Sequence, residues 1–239
     1  MVAFSGAHVV VTGGTGALGT AVVGALRRAG AVCHVTNLVA AELDHYAHRS
    51  DAGVHVTSGL DLADEAAVGR FYAGLPPLWA SIHLAGGFAM APVAETSAAD
   101  FEAQLRMNTL SCFLCSRAAI GAIRARGSET PAKGGRIVNV AARPAIEPRL
   151  GAGMVAYAAS KGAVATLTQA LAEEVAGEEI WVNAVAPSIL DTPANRAAMP
   201  DAPHHLWVAP AAIAELIAFL AAPDNRVTRG AVIPVYSGV

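Results

Sequence analysis

Tyr157 and Lys161 are the two residues whose types and spacing point most directly to chemistry. They lie four positions apart in an alanine-rich run, so on a helix their side chains lie one above the other on the same face. An ammonium group beside a phenol favours the phenolate, and we therefore expect Lys161 to lower the tyrosine pKa from its reference value of about 10. A tyrosine tuned in this way can donate or accept a proton near neutral pH. The pair predicts an acid/base centre, the alternative being an ordinary tyrosine beside a lysine that extends along its helix.

A second chemical motif lies near the N-terminus, where residues 13–19 read GGTGALG. An apolar, β-branched run over residues 7–12 precedes the motif and a helical run follows it, so the glycines connect a buried strand to a helix. Glycines at such a turn let the backbone approach a pyrophosphate, and the helix N-terminus supplies free N–H groups and a favourable dipole. The motif therefore predicts a dinucleotide site, the alternative being a plain tight turn.

The remaining chain alternates predicted strands with predicted helices. Further strands are expected at residues 31–36, 54–57, 79–84, 136–140, 181–185 and 231–235, and helices at 97–126, 153–174 and 211–220. This alternation predicts an α/β fold with a doubly wound parallel sheet in a single domain over residues 1–239. Residues 141–153 are predicted to form a loop. Residues 188–210 are predicted to form an irregular, mobile substrate loop.

Composition excludes several classes of protein. The 239 residues are 54% hydrophobic and 15% charged with a formal net charge of -3, which argues against a nucleic-acid-binding surface and against a disordered chain. No apolar run approaches the ~20 residues of a membrane span, and no signal peptide is expected at the N-terminus. The sequence therefore predicts a soluble, cytoplasmic protein.

Cysteines and histidines offer little chemistry of their own. Cys33, Cys112 and Cys115 form no disulfide framework, and the apolar residues inside the C-x-x-C spacing favour buried thiols over a redox pair. The histidine pairs at positions 45 and 48 and at 204 and 205 lack a third ligand nearby, so no metal site is predicted.

Three segments together resemble the short-chain dehydrogenase/reductase family along essentially the full chain: residues 12–19, Asn108, and the pair Tyr157 and Lys161. The resemblance implies a Rossmann fold and an NAD or NADP cofactor. It implies that Tyr157 is the general acid or base, that Lys161 binds the nicotinamide ribose, and that Asn108 supports a water-linked proton relay. The implied cofactor-binding residues are Gly13, Thr15, Gly16, Ala17, Leu18, Gly19, Asn37, Asp61, Leu62, Ala85, Gly86, Gly87, Tyr157, Lys161, Pro187 and Ile189.

The end of the second predicted strand bears on the choice of cofactor. An aspartate there favours NAD and a nearby arginine favours NADP, but this chain has Thr36, Asn37 and Leu38. Asn37 can hydrogen-bond a ribose hydroxyl, and the glycine turn contains no arginine. The sequence favours NAD and leaves both cofactors open.

Two departures from the family pattern affect the expected chemistry. Residues 137–143 read IVNVAAR, so Ala142 stands where the family usually has a catalytic serine, and His83 and Leu84 replace two asparagines. Loss of a preorganised hydrogen-bond donor typically lowers the rate by orders of magnitude. Either the substrate does not need that donor, or the protein is not a standard carbonyl reductase.

Within the family, the chain resembles dihydropteridine reductases, which look like reductases with alanine in the serine position. The similar segments are residues 13–19, 85–88, 153–157 and 190–196, with Met199 and Pro200. Phe88 and Asn37 depart from that group, which usually has a tryptophan and an aspartate there. Hydride transfer to a quinonoid dihydropterin develops little alkoxide charge, so such a substrate tolerates Ala142.

Three functions therefore remain open. The first is an NAD(P)H-dependent reductase of a small conjugated C=N or C=O substrate, such as a quinonoid dihydropterin. The second is an ordinary carbonyl or quinone reductase, and the third is a cofactor-binding protein without turnover. Apolar helices at residues 101–126 and 153–176 resemble those that pair in the family, which implies a homodimer or homotetramer.

Overall fold

Seven parallel strands form one sheet in the order β3-β2-β1-β4-β5-β6-β7. The computed structural model describes residues 4–126 and 134–238, and one lysine, Lys133, lies outside these ranges. The strands are β1 (His8–Thr12), β2 (Val32–Asn37), β3 (Val54–Ser58), β4 (Leu78–His83), β5 (Gly135–Val140), β6 (Ile180–Pro187) and β7 (Val232–Val235). Strand order reverses between β1 and β4, and this is the point where open parallel sheets bind ligands. The predicted doubly wound α/β fold is confirmed.

Helices cover both faces of this sheet. They are α1 (Ala17–Arg28), α2 (Glu65–Ala73), α3 (Ala98–Gln104), α4 (Ser111–Ala125), α5 (Arg143–Ile146), α6 (Val155–Glu174), α7 (Pro193–Ala198) and α8 (Pro210–Ala221). Successive side chains of a strand point to opposite faces, so neighbouring valines of β1 enter different cores. Val9 and Val11 pack in the core with residues of α1 and α8, whereas Val10 packs with residues of α2 and α4.

Three local predictions were wrong. The helix expected over residues 97–126 contains a π-helical segment, Leu105–Leu110, between α3 and α4. The loop expected at 141–153 contains α5, which has Pro144 in its first turn. The irregular stretch expected at 188–210 contains α7, where Thr192 caps the N-terminus by accepting a hydrogen bond from the Asn195 amide. Short helices of this kind lack the apolar periodicity on which the predictions relied.

The thiols lie where the sequence predicted. Cys33, Cys112 and Cys115 are free and buried. Burial raises the pKa of Cys112 to about 11 and that of Cys115 to about 12. Thiols with such pKa values remain protonated and unreactive at neutral pH.

A row of imidazoles crosses three neighbouring strands. Nδ1 of His8 lies 2.9 Å from Nε2 of His34, and the rings of His34 and His55 stack with their centroids 5.2 Å apart. Burial, followed by the charges of the other two histidines, lowers the pKa of His34 to about 4. The folded state therefore favours the neutral ring.

This row predicts a specific acid sensitivity. The pKa of His34 is lower in the folded state than its unfolded value of about 6.5. Protonation of His34 therefore does not reduce the stability above about pH 6.5. Stability should fall as the pH decreases from about 6.5 towards 4, by about 2–3 kcal/mol at the lower end. We expect His34→Gln to lose less stability than the wild type between pH 7 and pH 4.5 in urea titrations. The matched control is His205→Gln, which changes an exposed histidine; equal pH dependence in both variants would contradict the prediction.

Candidate active site

A cavity of about 530 Å³ opens where β1, β2 and β4 end, at the point where the strand order reverses. Its walls come from the glycine turn, the end of β2, the segment after β3 and the segment after β4. Ten of the residues predicted to bind a cofactor line it: Gly13, Gly16, Ala17, Leu18, Gly19, Asn37, Asp61, Leu62, Ala85 and Gly86. The topology therefore brings residues from four separate segments to one place.

Two glycines of the turn, Gly13 and Gly19, leave no room for a side chain. Gly13 has a φ of +63°, and a Cβ there would lie 3.0 Å from the backbone of Ala85. A Cβ on Gly19 would lie 2.4 Å from the carbonyl oxygen of Gly13. Gly16 precedes α1 without a side-chain cap, so the first N–H groups of this helix face the turn without an internal partner. This backbone can approach an anion closely.

Tyr157 and Lys161 lie in the first two turns of α6. The half-buried Tyr157 ring packs edge-on against Phe88, with the ring centroids 4.9 Å apart. Lys161 is buried, and its Nζ donates a hydrogen bond of 2.9 Å to the carbonyl oxygen of Val140, at the end of β5. The predicted helix therefore presents both side chains on the face that meets the sheet.

The predicted direction of the Tyr157 pKa shift was wrong. Burial raises the pKa of Tyr157 to about 12, and burial also lowers the pKa of Lys161 to about 8. Desolvation is the largest cause of both shifts, and Nζ of Lys161 donates its hydrogen bond to the Val140 carbonyl. At neutral pH the phenol therefore holds its proton. A role of Tyr157 as a general acid or base stays a prediction.

Asn108 joins the segment after β4 to α6 through hydrogen bonds. Its Nδ2 donates to the Gly87 carbonyl and its Oδ1 accepts from the Gly87 amide, both at 3.0 Å, and Nδ2 also lies 3.1 Å from Oγ of Ser160. A Cβ on Gly86 would lie 2.5 Å from Oδ1 of Asn108 and 3.3 Å from Nζ of Lys161. Asn108, Gly86 and Lys161 are thus in close contact. A role of Asn108 in a proton relay stays a prediction.

The two departures from the family pattern have different structural consequences. Ala142 is buried and extended immediately before α5, so this position offers no side-chain donor. His83 is buried, with Nδ1 2.8 Å from Oδ1 of Asn139 and Nε2 2.8 Å from Oγ of Ser81. Burial lowers the His83 pKa to about 4. His83 is therefore a neutral side chain of the core.

The residues that were predicted to bind a cofactor but do not line the cavity are Thr15, Gly87, Tyr157, Lys161, Pro187 and Ile189. Pro187 is the last residue of β6 and Ile189 is 37% exposed beyond it, while Gly87 is bonded to Asn108. Thr15 donates to the Glu42 carboxylate instead. The other cavity residues were not predicted to bind a cofactor, and they are Thr36, Leu38, Val39, Glu42, Leu60, Ala63, Leu84, Met107, Ser111, Leu190, Thr192 and Asn195.

The sequence matches a known protein family over most of its length. The short chain dehydrogenase family model matches residues 7–203. The chain belongs to the short-chain dehydrogenase/reductase family. Members of this family are NAD- or NADP-dependent oxidoreductases, and the glycine turn and the cavity fit a dinucleotide. Buried, unpartnered oxygens support this fit: within the described ranges, Oγ1 of Thr36 and Oδ1 of Asn37 have no hydrogen-bond partner.

Several relatives in the short-chain dehydrogenase/reductase family cover most of the chain. Galactitol 2-dehydrogenase from Rhizobium johnstonii is 32% identical over 98% of this chain and 95% of its own. L-xylulose reductase from Bos taurus is 28% identical over 98% of this chain and 96% of its own. Cyclopentanol dehydrogenase from a Comamonas species is 34% identical over 82% of this chain and 77% of its own.

A solved structure supports the fold. An oxidoreductase of the short-chain dehydrogenase/reductase family from Burkholderia thailandensis has a TM-score of 0.85, with 24% identity over 98% of this chain and 92% of that one. Among residues 4–126 and 134–238, no helix is long and apolar enough to cross a membrane. In the same ranges, no group of three or more His, Cys, Asp or Glu side chains is placed to hold a metal ion.

Proposed function

We propose that the chain is an NAD(P)H-dependent reductase in which Tyr157 protonates the substrate. The observation that carries the proposal is the placement of the Tyr157 phenol one helical turn from the buried Lys161 in α6. Nζ of Lys161 lies close to Gly86, which lines the cavity, since a Cβ on Gly86 would be 3.3 Å from that nitrogen. A bound nicotinamide supplies the hydride. The chain supplies the proton, the placement of the two reactants and the exclusion of water around them.

The proposal assigns parts of the cofactor to residues of the cavity wall and to Lys161. The glycine turn and the N-terminus of α1 hold the pyrophosphate, and Asp61 and Leu62 border the adenine. Lys161 holds the nicotinamide ribose, and Gly86 lets the chain pass close to the ring. No lysine, arginine or histidine lines the cavity within the described ranges, which favours NAD over NADP.

The substrate side of Tyr157 is apolar. Phe88 and Met90 are 59% and 62% exposed, and a Cβ on Gly153 would lie 3.1 Å from Cε of Met90. Phe88 packs on Tyr157 itself. An apolar wall with an aromatic edge favours a flat conjugated substrate over a polyol. We therefore propose a small conjugated C=N or C=O acceptor, with a quinonoid dihydropterin as one member of this class.

Two other functions have an observation in their favour. The relatives named for a polyol, a sugar and cyclopentanol favour ordinary carbonyl reduction. The lack of a side-chain donor at Ala142 favours cofactor binding without turnover. Consumption of NADH with a panel of quinonoid dihydropterins, quinones, diketones, cyclic ketones and keto sugars separates the three. Conjugated acceptors should react fastest. Preference for the keto sugars would favour ordinary carbonyl reduction, and no reaction despite cofactor binding would favour the binding protein.

Restoring the missing donor distinguishes the two kinds of acceptor. A well-placed hydroxyl is worth roughly 3 kcal/mol, or about a hundredfold in rate, when negative charge grows on a carbonyl oxygen. On a pterin-like imine, Ala142→Ser should change the rate only a few-fold, because no such oxygen develops. Reduction of simple ketones should emerge or rise in the same variant.

The matched control is Ala145→Ser, which adds the same hydroxyl within α5. Initial rates on the two acceptor classes, measured for the wild type and both variants, provide the test. A hundredfold gain by Ala142→Ser on the best native-like acceptor would contradict the imine proposal and favour an ordinary carbonyl reductase.

We further propose a cytoplasmic homodimer or homotetramer that acts on a small molecule. Phe101 on α3 and Phe113 on α4 are both 39% exposed, and Arg117 lies over the Phe113 ring at 5.6 Å. Exposed aromatic residues beside an arginine are typical of protein–protein contacts.

A further inference from the structure

The carboxylate of Glu42 lies on the cavity wall just beyond the end of β2. Glu42 belongs to the 3-10 helix Ala40–His45, and its Oε2 accepts a hydrogen bond from the hydroxyl of Thr15 in the glycine turn. Within residues 4–126 and 134–238, Oε1 has no hydrogen-bond partner and Glu42 forms no ion pair. The carboxylate is thus fixed through one oxygen and presents the other to a ligand.

Two buried oxygens of the same cavity wall also indicate that a ligand binds there. Oγ1 of Thr36 and Oδ1 of Asn37 have no partner in the described part of the chain, and both residues line the cavity. The Asn37 amide nitrogen is already used, because it donates to the Val39 carbonyl at 2.7 Å. The polar groups left over at this end of the cavity are therefore oxygens, which suit a ligand that donates hydrogen bonds.

The charges on this part of the cavity wall disfavour a phosphate group beside the Glu42 carboxylate. The other acidic residue of the wall, Asp61, is paired with Arg106 at 3.1 Å. On the 3-10 helix, Asp44 is paired with Arg49 at 3.8 Å. A phosphate placed against Glu42 would therefore meet a carboxylate, and no lysine, arginine or histidine among the described residues lines the cavity to compensate it.

We propose that Glu42 accepts hydrogen bonds from the 2′- and 3′-hydroxyls of the adenosine ribose of NAD and repels the 2′-phosphate of NADP. The inference rests on the proposed function, since it requires a dinucleotide in this cavity. An acidic residue at the end of β2 usually selects NAD. In this chain that position is Asn37, and the carboxylate comes from the following helix and is oriented by Thr15.

Equilibrium binding of NADH and of NADPH, followed by nucleotide fluorescence, tests the proposal. We expect the wild type to bind NADH at least about tenfold more tightly than NADPH, because one charged contact at an exposed position is worth about that factor. Glu42→Gln keeps the shape and removes the charge, and it should reduce the preference for NADH about tenfold. Thr15→Val removes the hydrogen bond that orients the Glu42 carboxylate, and it should reduce the preference for NADH over NADPH by a smaller factor.

Asp44→Asn is the matched control. Asp44 lies on the same 3-10 helix as Glu42, but its carboxylate does not line the cavity. The preference of this variant should equal that of the wild type. If Glu42→Gln binds both nucleotides with the wild-type ratio, the role of Glu42 is wrong and the proposed function stands. If the wild type binds neither nucleotide, the proposed function itself fails. Urea unfolding of each variant verifies that the fold is retained.

Discussion

Replacing Tyr157 with phenylalanine is expected to lower turnover about a hundredfold or more, while the fold and the affinity for NADH remain. The substitution removes only the hydroxyl, and general acid catalysis by a positioned side chain contributes about 10²–10⁴-fold. The ring, its edge-on contact with Phe88 and the Lys161 hydrogen bond to Val140 do not depend on that hydroxyl. Steady-state rates and NADH binding, measured on the same preparations, separate the two effects.

Tyr46→Phe is the matched control for this prediction. Tyr46 is a buried tyrosine whose hydroxyl has no partner among the described residues, and it packs in the core against α1. Removal of its hydroxyl should leave turnover within a few-fold of the wild type. Unchanged turnover in Tyr157→Phe would mean that another group donates the proton.

The second large effect is expected at Gly19. A Cβ there would lie 2.4 Å from the Gly13 carbonyl oxygen and 2.5 Å from Cα of Gly14. Both are backbone atoms of the turn, which cannot yield as a flexible side chain would. Gly19→Ala should therefore force the turn apart, weaken nucleotide binding by at least about a hundredfold and destabilise the fold by roughly 1–3 kcal/mol, as overpacking typically does.

Gly69→Ala makes the same chemical change where space is available. Gly69 lies inside α2, and nothing lies within 4 Å of a Cβ built on it. Alanine is favoured over glycine in a helix by about 1 kcal/mol, so this variant should be slightly stabilised. Calorimetric titration with NADH and urea unfolding of both variants provide the test. Normal NADH affinity in Gly19→Ala would show that the turn does not contact the nucleotide.

The sequence predicted the fold because its signals are local and strong. Apolar β-branched runs that alternate with helical runs favour a parallel sheet with helices packed against it. The glycine turn was recognisable because a strand precedes it and a helix follows. The π-helical segment at Leu105–Leu110 was not, since the sequence around Asn108 has ordinary helical periodicity. Contacts of Asn108 with Gly87 and Ser160 exist only after packing.

The electrostatics of the site could not be predicted from spacing. Spacing placed Lys161 one turn from Tyr157 and suggested a lowered tyrosine pKa. The actual direction depends on burial of the phenol, which arises only when distant segments of the chain pack together. Glu42 was missed for a related reason. Its contact with Thr15 joins two segments that meet only in the folded protein.

Transfer of deuterium from NADH labelled at nicotinamide C4 tests the central claim most directly. The wild type, incubated with labelled NADH and each acceptor of the panel, should place the label in one or more products, as detected by mass spectrometry. Tyr157→Phe should bind the labelled nucleotide equally well and transfer the label about a hundredfold more slowly. Tight NADH binding without label in any product would contradict the reductase and support a protein that binds the nucleotide without turnover.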